Sequence, residues 1–318
     1  MKTRRAALIA IVALAACSRV ETQAQPTVSQ QGAPRPLRGR ITDHVIVISV
    51  DGLRPDAITT FRVPTMQRLM REGRYSLTAQ TISLSRTLPA HTSMLTGVDA
   101  DVHGVHWNSD KTGQYGYVKV PTVFGLAHDA GFSTAAIFSK TKFHHLAQPT
   151  TLDYVRAPTG RLALAPWPSQ RTADHVASYL RAAKPNLLFV HLAEADFAAH
   201  TFGWMSGTYG RALREADLAI ERILAESDLR LGRGNYTVIL TADHGGHGKS
   251  HGSTDPRDMT IPWIVWGAGV QAGDTLSGVR TMDTAATALW MLGVGAPAGW
   301  SGKVVSAAFE PKVANFGR

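Results

Sequence analysis

The chain has 318 residues, 44% of them hydrophobic, with 33 Lys and Arg against 24 Asp and Glu for a net charge of +9. That is enough apolar material for one large α/β domain or two small ones, and it excludes disorder for the bulk of the chain. The positive surplus suits an anionic substrate or surface, yet no stripe of basic residues interleaved with aromatics is visible, so binding to duplex nucleic acid is not expected.

Chain order begins with a leader. Residues 1–17, MKTRRAALIAIVALAAC, place Lys2, Arg4 and Arg5 ahead of an apolar run from Ala6 to Leu14 and small residues before Cys17, the pattern of an export signal. The run is too short to span a bilayer comfortably. Leu14-Ala15-Ala16-Cys17 resembles the lipobox of bacterial lipoproteins, which implies lipidation of Cys17 and a membrane-anchored protein facing the periplasm. Cys17 is the only cysteine, which excludes an internal disulfide, and cleavage before it lowers the charge from +9 to +6. Residues 18–40, rich in Gln, Pro, Thr and Ser, read as a flexible tether. Residues 41–318 contain no repeat and no clean linker and read as a single catalytic domain.

Within that domain the first strand is His44–Val50, HVIVISV, apolar and β-branched as a strand buried on both faces should be. A helix over Pro64–Glu72 stops at Gly73. Further strands are expected at Thr134–Phe138, Leu187–Leu192, Thr237–Thr241 and Trp263–Trp266. Helical patterns fall at Thr122–Asp129, Arg171–Ala183, Tyr209–Ala225 and Asp283–Leu292. Alternation of this kind predicts an α/β fold, a mostly parallel central sheet with helices on both faces. Ligands of such folds gather outside the carboxyl ends of the strands.

The polar residues respect that rule. Asp51 follows the first strand, Glu194 and Asp196 follow LLFVHL, and Asp243-His244 follows TVILT. An Asp after one strand is commonly a turn former or a cap, but three such clusters share one edge of the sheet. Asp196 and His200, four apart, share a face if a helical turn opens there. Carboxylate and imidazole form the ligand set of zinc or a similar divalent ion. The glycines after His244 let the backbone bend, so that Asp243 and His244 need not point apart. Clusters converging from different strands suggest two ions, and ion pairs about 3.5–4 Å apart serve in-line displacement at phosphorus.

Taken in order, Asp51-Gly52, TLPAHTSMLTG, VHG, EADFAAH, TADHGG and a later HG resemble the alkaline phosphatase superfamily, and most closely its type I phosphodiesterase/nucleotide pyrophosphatase family. The resemblance runs from about residue 44 to residue 270. It implies that Thr87, in TLPAH, is the nucleophile of a phosphoester hydrolase working through a phospho-threonine intermediate. It also implies two divalent ions, most simply Zn2+, with Mn and Fe accepting similar ligands. One ion would take Asp51, Thr87, Asp243 and His244, the other Asp196, His200 and His251. His247 is left as a loop or outer residue. Independently of the family, a threonine hydroxyl needs activation to act at neutral pH, and metal coordination supplies it. Pro89 suits the first turn of a helix, which would place Thr87 near backbone N–H groups that favour an anionic phosphate.

The pattern also departs from the family's. Ala90 stands where the family's motif has a phosphoryl-binding Asn, and Asn108 is the candidate replacement. Lys140 and Lys142 are candidates to bind a terminal phosphate, which would suit a monoester, whereas a wall of Trp107, Phe143, Trp167 and Trp204 would suit the second substituent of a diester. The reading is therefore a phosphodiesterase/nucleotide pyrophosphatase acting on a small phosphate ester or nucleotide, with a phosphomonoesterase as the enzymatic alternative. A lipid-anchored metal- or phosphate-binding protein is the non-enzymatic one. A sulfatase of the same superfamily would need a convertible Cys or Ser where Thr87 stands.

Overall fold

The structure, a computed structural model, describes residues 39–159 and 165–310. The predicted leader, Cys17 and nearly all of the tether lie outside the described residues.

The described residues build one sheet of seven strands. They are β1 (His44–Val50), β2 (Arg74–Gln80), β3 (Thr134–Ile137), β4 (Tyr154–Arg156), β5 (Leu187–Leu192), β6 (Tyr236–Thr241) and β7 (Thr260–Gly267), in the spatial order β2-β7-β6-β1-β5-β3-β4. Neighbours from β6 across to β4 pair in parallel, and β7 alone runs against its partners β6 and β2. The sheet is thus mostly parallel, as the alternating pattern requires.

Why these segments sit centrally follows from their side chains. β5 and β6 are buried at every residue and β1 at every residue but its first, a state only strands covered on both faces can reach. Each fully buried Val, Ile or Leu there contributes about 1.5–3 kcal/mol. Cover comes from two groups of helices. Pro64–Glu72, Ser169–Ala182 and Gly207–Ser227 pack together, while Thr87–Thr96, Val123–Asp129 and Asp283–Met291 form the other group. The long helix Gly207–Ser227 starts where the Ser206 hydroxyl accepts the Tyr209 N–H (3.2 Å). Its buried Asp217 accepts the Thr65 and Met66 N–H groups (3.0 and 2.8 Å), satisfying the start of Pro64–Glu72, which has no side-chain cap of its own.

β2 and β4 escaped the sequence reading, and both lie at the edges of the sheet. β2, RYSLTAQ, carries Arg74, Thr78 and Gln80 and breaks register between Ser76 and Ala79, as edge strands that avoid further pairing do. β7 also runs beyond Trp263–Trp266 at both ends.

The order β6-β1-β5-β3 sets the site. Those four parallel strands end side by side, so Asp243, Asp51, Asp196 and Lys140, each just beyond one of them, come to a single edge.

Candidate active site

Two groups of ligand atoms form at that edge. Asp51, Asp243 and His244 make one and Asp196, His200 and His251 the other, and within each group the donor atoms lie within 4.8 Å of one another. His244 Nε2 is the centre of the first. It lies 3.3 Å from Asp51 Oδ1, 3.2 Å from Asp243 Oδ2 and 3.4 Å from Thr87 Oγ1. In the second, Asp196 Oδ1 is 3.3 Å from His200 Nε2 and 3.8 Å from His251 Nε2. The helical turn anticipated after β5 exists as Glu194–Phe202, which brings Asp196 and His200 onto one face. His244 and His251 stack with ring centroids 3.6 Å apart, so the two groups adjoin.

The donor atoms suit divalent cations for a reason beyond proximity. Asp51 Oδ1, Asp196 Oδ1 and Asp243 Oδ2 are buried and accept no hydrogen bond. An uncompensated buried carboxylate oxygen is costly. Each carboxylate's other oxygen is engaged: Asp51 Oδ2 by His191 Nε2 (3.0 Å) and Lys140 Nζ (2.6 Å), Asp196 Oδ2 by Lys140 (2.6 Å) and Asp243 Oδ1 by the Gly52 N–H (3.2 Å). The histidines repeat this division. His244, His200 and His251 direct Nδ1 at the carbonyls of Gly245 (2.8 Å), Lys249 (3.0 Å) and Ser85 (2.9 Å). A carbonyl only accepts, so Nδ1 carries the proton and each Nε2 lone pair faces the cluster, the arrangement by which proteins orient metal-binding imidazoles. Burial, with the adjacent His244 adding to it, pushes His251 down to about 4 and keeps its ring neutral at neutral pH.

Thr87 is the first residue of the helix Thr87–Thr96 and is buried. Its surroundings modify the expectation that helix N–H groups cradle a phosphate. Leu88 N–H donates to Asn108 Oδ1 (3.0 Å), Pro89 has no N–H, and Ala90 N–H donates to the Arg86 carbonyl (3.0 Å). Asn108 therefore caps the helix beside Thr87, and Lys142 Nζ meets the same Oδ1 at 3.2 Å. Burial and the charge of Lys140 draw Lys142 below the ordinary lysine range. Lys140 itself lies between the Asp51 and Asp196 carboxylates, joining the two ligand groups.

Of the glycines of TADHGGHG, Gly248 takes the left-handed conformation a sharp bend needs (φ 54°), while the two directly after His244 have a different physical basis. Neither Gly245 nor Gly246 adopts a positive φ. A Cβ on Gly246 would lie 2.1 Å from Trp204 Cε2, and one on Gly245 would lie 2.1 Å from the Arg257 carbonyl oxygen, so close approach is the constraint. Of the four proposed wall aromatics, Phe143, Trp167 and Trp204 are buried in the core, and Trp107 is partly buried against Tyr115 (centroids 4.5 Å). Trp204 packs edge-on against His200 and donates Nε1–H to the Gly52 carbonyl (3.0 Å).

Two further histidines were missed. His191 hydrogen-bonds Asp51 and, through Nδ1, Ser139 (3.1 Å), and burial pushes it down to about 4. His91 lies against the Thr87 carbonyl (2.7 Å), Ser49 Oγ (2.8 Å) and Asp243 Oδ2 (3.3 Å). A histidine inside the apolar strand LLFVHL was the available signal for His191.

Known proteins resemble this chain in sequence and in fold. A family model described as type I phosphodiesterase/nucleotide pyrophosphatase matches residues 45–252. A bis(5'-adenosyl)-triphosphatase of Xenopus laevis is 24% identical over 233 residues, covering 64% of this chain and 47% of that protein. A Bos taurus counterpart is 24% identical over 221 residues, covering 63% and 47%. This chain thus spans about half the length of the curated relatives it matches. Among solved structures, an inactive murine ectonucleotide pyrophosphatase/phosphodiesterase 5 in complex with AMP shares the fold with a TM-score of 0.67 at 15% identity, covering 80% of this chain and 96% of that one. A Bacteroides thetaiotaomicron sulfatase of glycosaminoglycan metabolism does so with a TM-score of 0.70 at 16% identity, covering 85% and 77%.

Proposed function

The chain belongs to the type I phosphodiesterase/nucleotide pyrophosphatase family, and from that premise we propose that it is a two-metal phosphoester hydrolase whose nucleophile is Thr87. One observation carries the reading. Three buried carboxylate oxygens without a hydrogen bond converge with three histidine Nε2 atoms, in two adjoining groups, one of them beside Thr87 Oγ1.

Asp51, Asp243, His244 and Thr87 would hold one ion, and Asp196, His200 and His251 the other. Bound divalent ions, most simply Zn2+, activate hydroxyl and water and offset charge at the phosphoryl group. Thr87 Oγ would bond to phosphorus as the bond from phosphorus to the leaving oxygen breaks, the threonine proton ending on the departing alcohol, and water would then cleave the phospho-threonine, releasing the phosphoryl product and regenerating Thr87. Asn108 and Lys142, which meet beside the start of the Thr87 helix, would hold phosphoryl oxygens. His191 and Lys140 keep Asp51 turned so that its second oxygen stays directed at His244.

The substrate class proposed is a small phosphodiester or nucleotide pyrophosphate. A phosphomonoesterase is the second reading, favoured specifically by the Lys142–Asn108 pair, whose positive charge suits a terminal dianion. The leader and Cys17 support export and lipid anchoring facing the periplasm.

Thr87→Ala tests the chemistry. With chromogenic monoester and diester substrates on zinc-loaded protein, turnover should fall by at least a thousandfold, roughly the loss seen when a member of a catalytic unit is removed. Full activity in the variant would overturn the mechanism, and the ratio of the two substrates in the wild type decides between the two readings.

A further inference from the structure

The loop that carries His244 and His251 runs on to the helical turn Pro256–Met259, whose Asp258 carboxylate is fully buried. Both oxygens of that carboxylate are engaged. Oδ1 accepts from His247 Nδ1 (2.7 Å), and Oδ2 accepts from the Ser253 N–H (3.0 Å) and hydroxyl (2.7 Å).

Each of these contacts begins a path to a different histidine of the second ligand group. His247 and Ser250 exchange two backbone hydrogen bonds, both 3.0 Å, closing a tight turn. That turn presents the Lys249 carbonyl to His200 Nδ1 (3.0 Å) and the Gly248 carbonyl to the Trp204 N–H (2.8 Å). On the other side, the Ser253 carbonyl accepts the Ser85 hydroxyl (2.7 Å), and the Ser85 carbonyl accepts from His251 Nδ1 (2.9 Å). The first group is reached from this residue only through its main chain, where the Asp258 carbonyl accepts the Gly245 N–H (2.8 Å). A side-chain substitution leaves that bond in place.

We propose that Asp258 is the positioning residue of the second cation site, orienting His200 through His247 and the His247–Ser250 turn, and His251 through Ser253 and Ser85. The inference rests on the two-metal reading above and gives His247 its place in it. Residues that orient metal ligands from behind are worth about 10–100-fold in metal affinity.

The test is calorimetric titration of Zn2+ into the metal-stripped full chain, with diester turnover measured at limiting and excess Zn2+. Wild type should take up two equivalents. Asp258→Asn can accept with only one oxygen, so one path is broken, and His247→Ala removes the path to His200 alone. Both variants should lose about 10–100-fold in affinity for one equivalent and keep the other, and excess Zn2+ should restore turnover. A defect confined to folding would weaken both equivalents alike and would not be rescued by the ion, which would overturn the proposal. So would two equivalents bound at wild-type affinity in both variants. His247 is partly exposed, so its variant carries the test if Asp258→Asn fails to fold. If wild type itself binds no ion, the two-metal reading falls and this inference with it, an outcome distinct from failure of the variants alone.

Discussion

Replacing Lys140 with methionine keeps an unbranched side chain only one atom shorter and removes its charge. Lys140 Nζ lies 2.6 Å from both Asp51 Oδ2 and Asp196 Oδ2, and both carboxylates are buried. Burial alone would lower the pKa of this lysine, but the Asp196 and Asp51 charges outweigh it and raise the value, so the ammonium persists across the physiological range. In Asp51, burial favours the neutral acid, but the Lys140 charge and the His191 hydrogen bond outweigh it and keep the group ionised. Lys140→Met therefore leaves two buried anions without their common partner. Removing one member of a buried ion pair costs about 3–5 kcal/mol. At about 2–4 °C per kcal/mol for a domain of this size, the variant in chelator should melt roughly 6–20 °C below wild type. On the two-metal reading, divalent ions at Asp51 Oδ1 and Asp196 Oδ1 would return positive charge to the same carboxylates, so the deficit should shrink in excess zinc. By linkage, zinc then stabilises the variant more than it stabilises wild type. Scanning calorimetry of both proteins, with chelator and with zinc, measures all four melting temperatures. A chelated variant melting within about 2 °C of wild type would refute the role given to Lys140. An equal deficit with and without zinc would refute the claim that lysine and ions share these carboxylates.

Other outcomes are expected elsewhere in the chain. His103 and His145 are both pushed down to about 4 by burial. Their unfolded forms take up a proton near pH 6.5, so what these two rings contribute to stability is constant above that pH. It falls as pH drops from there towards 4, by up to about 1.4 kcal/mol per pH unit for each ring. Urea titrations of wild type and His103→Gln between about pH 7 and pH 5 should show a shallower loss in the variant, and parallel curves would count against it. Gly246→Ala drives a methyl into the Trp204 ring, which packs on His200. It should cost about 1–3 kcal/mol and weaken zinc uptake, both readable in one melting series, and an unchanged melting temperature would contradict the packing argument. On the proposed lipid anchoring, Cys17→Ser should move the protein from the membrane fraction to the soluble fraction, and retention on membranes would refute anchoring through that residue.

How much of this was legible beforehand depended on how far each residue's partners lie along the chain. The strands β1, β5 and β6 announce themselves, because burial on both faces demands an unbroken apolar run. Asp51, Asp196 and Asp243 were readable as one site from the rule that parallel strands deliver their ends to one edge, and His200 from its four-residue spacing to Asp196. His251 could be placed only through resemblance to the family, since its approach to His244 depends on the loop between β6 and the turn Pro256–Met259, which Asp258 ties back to Ser253. β2 and β4 hid because edge strands dilute their apolar pattern with Arg74, Thr78 and Gln80 or shrink to three residues. Lys140 marks the deepest limit. Its position in SKTK is compatible with a loop lysine reaching for solvent or phosphate, and what turns it onto Asp51 and Asp196 is the adjacency of β3 to β5 and of β5 to β1. Strand order is a property of the whole sheet. A cation whose partners lie 89 and 56 residues away is therefore invisible to spacing arguments, even though the carboxylates it neutralises are among the plainest features of the sequence.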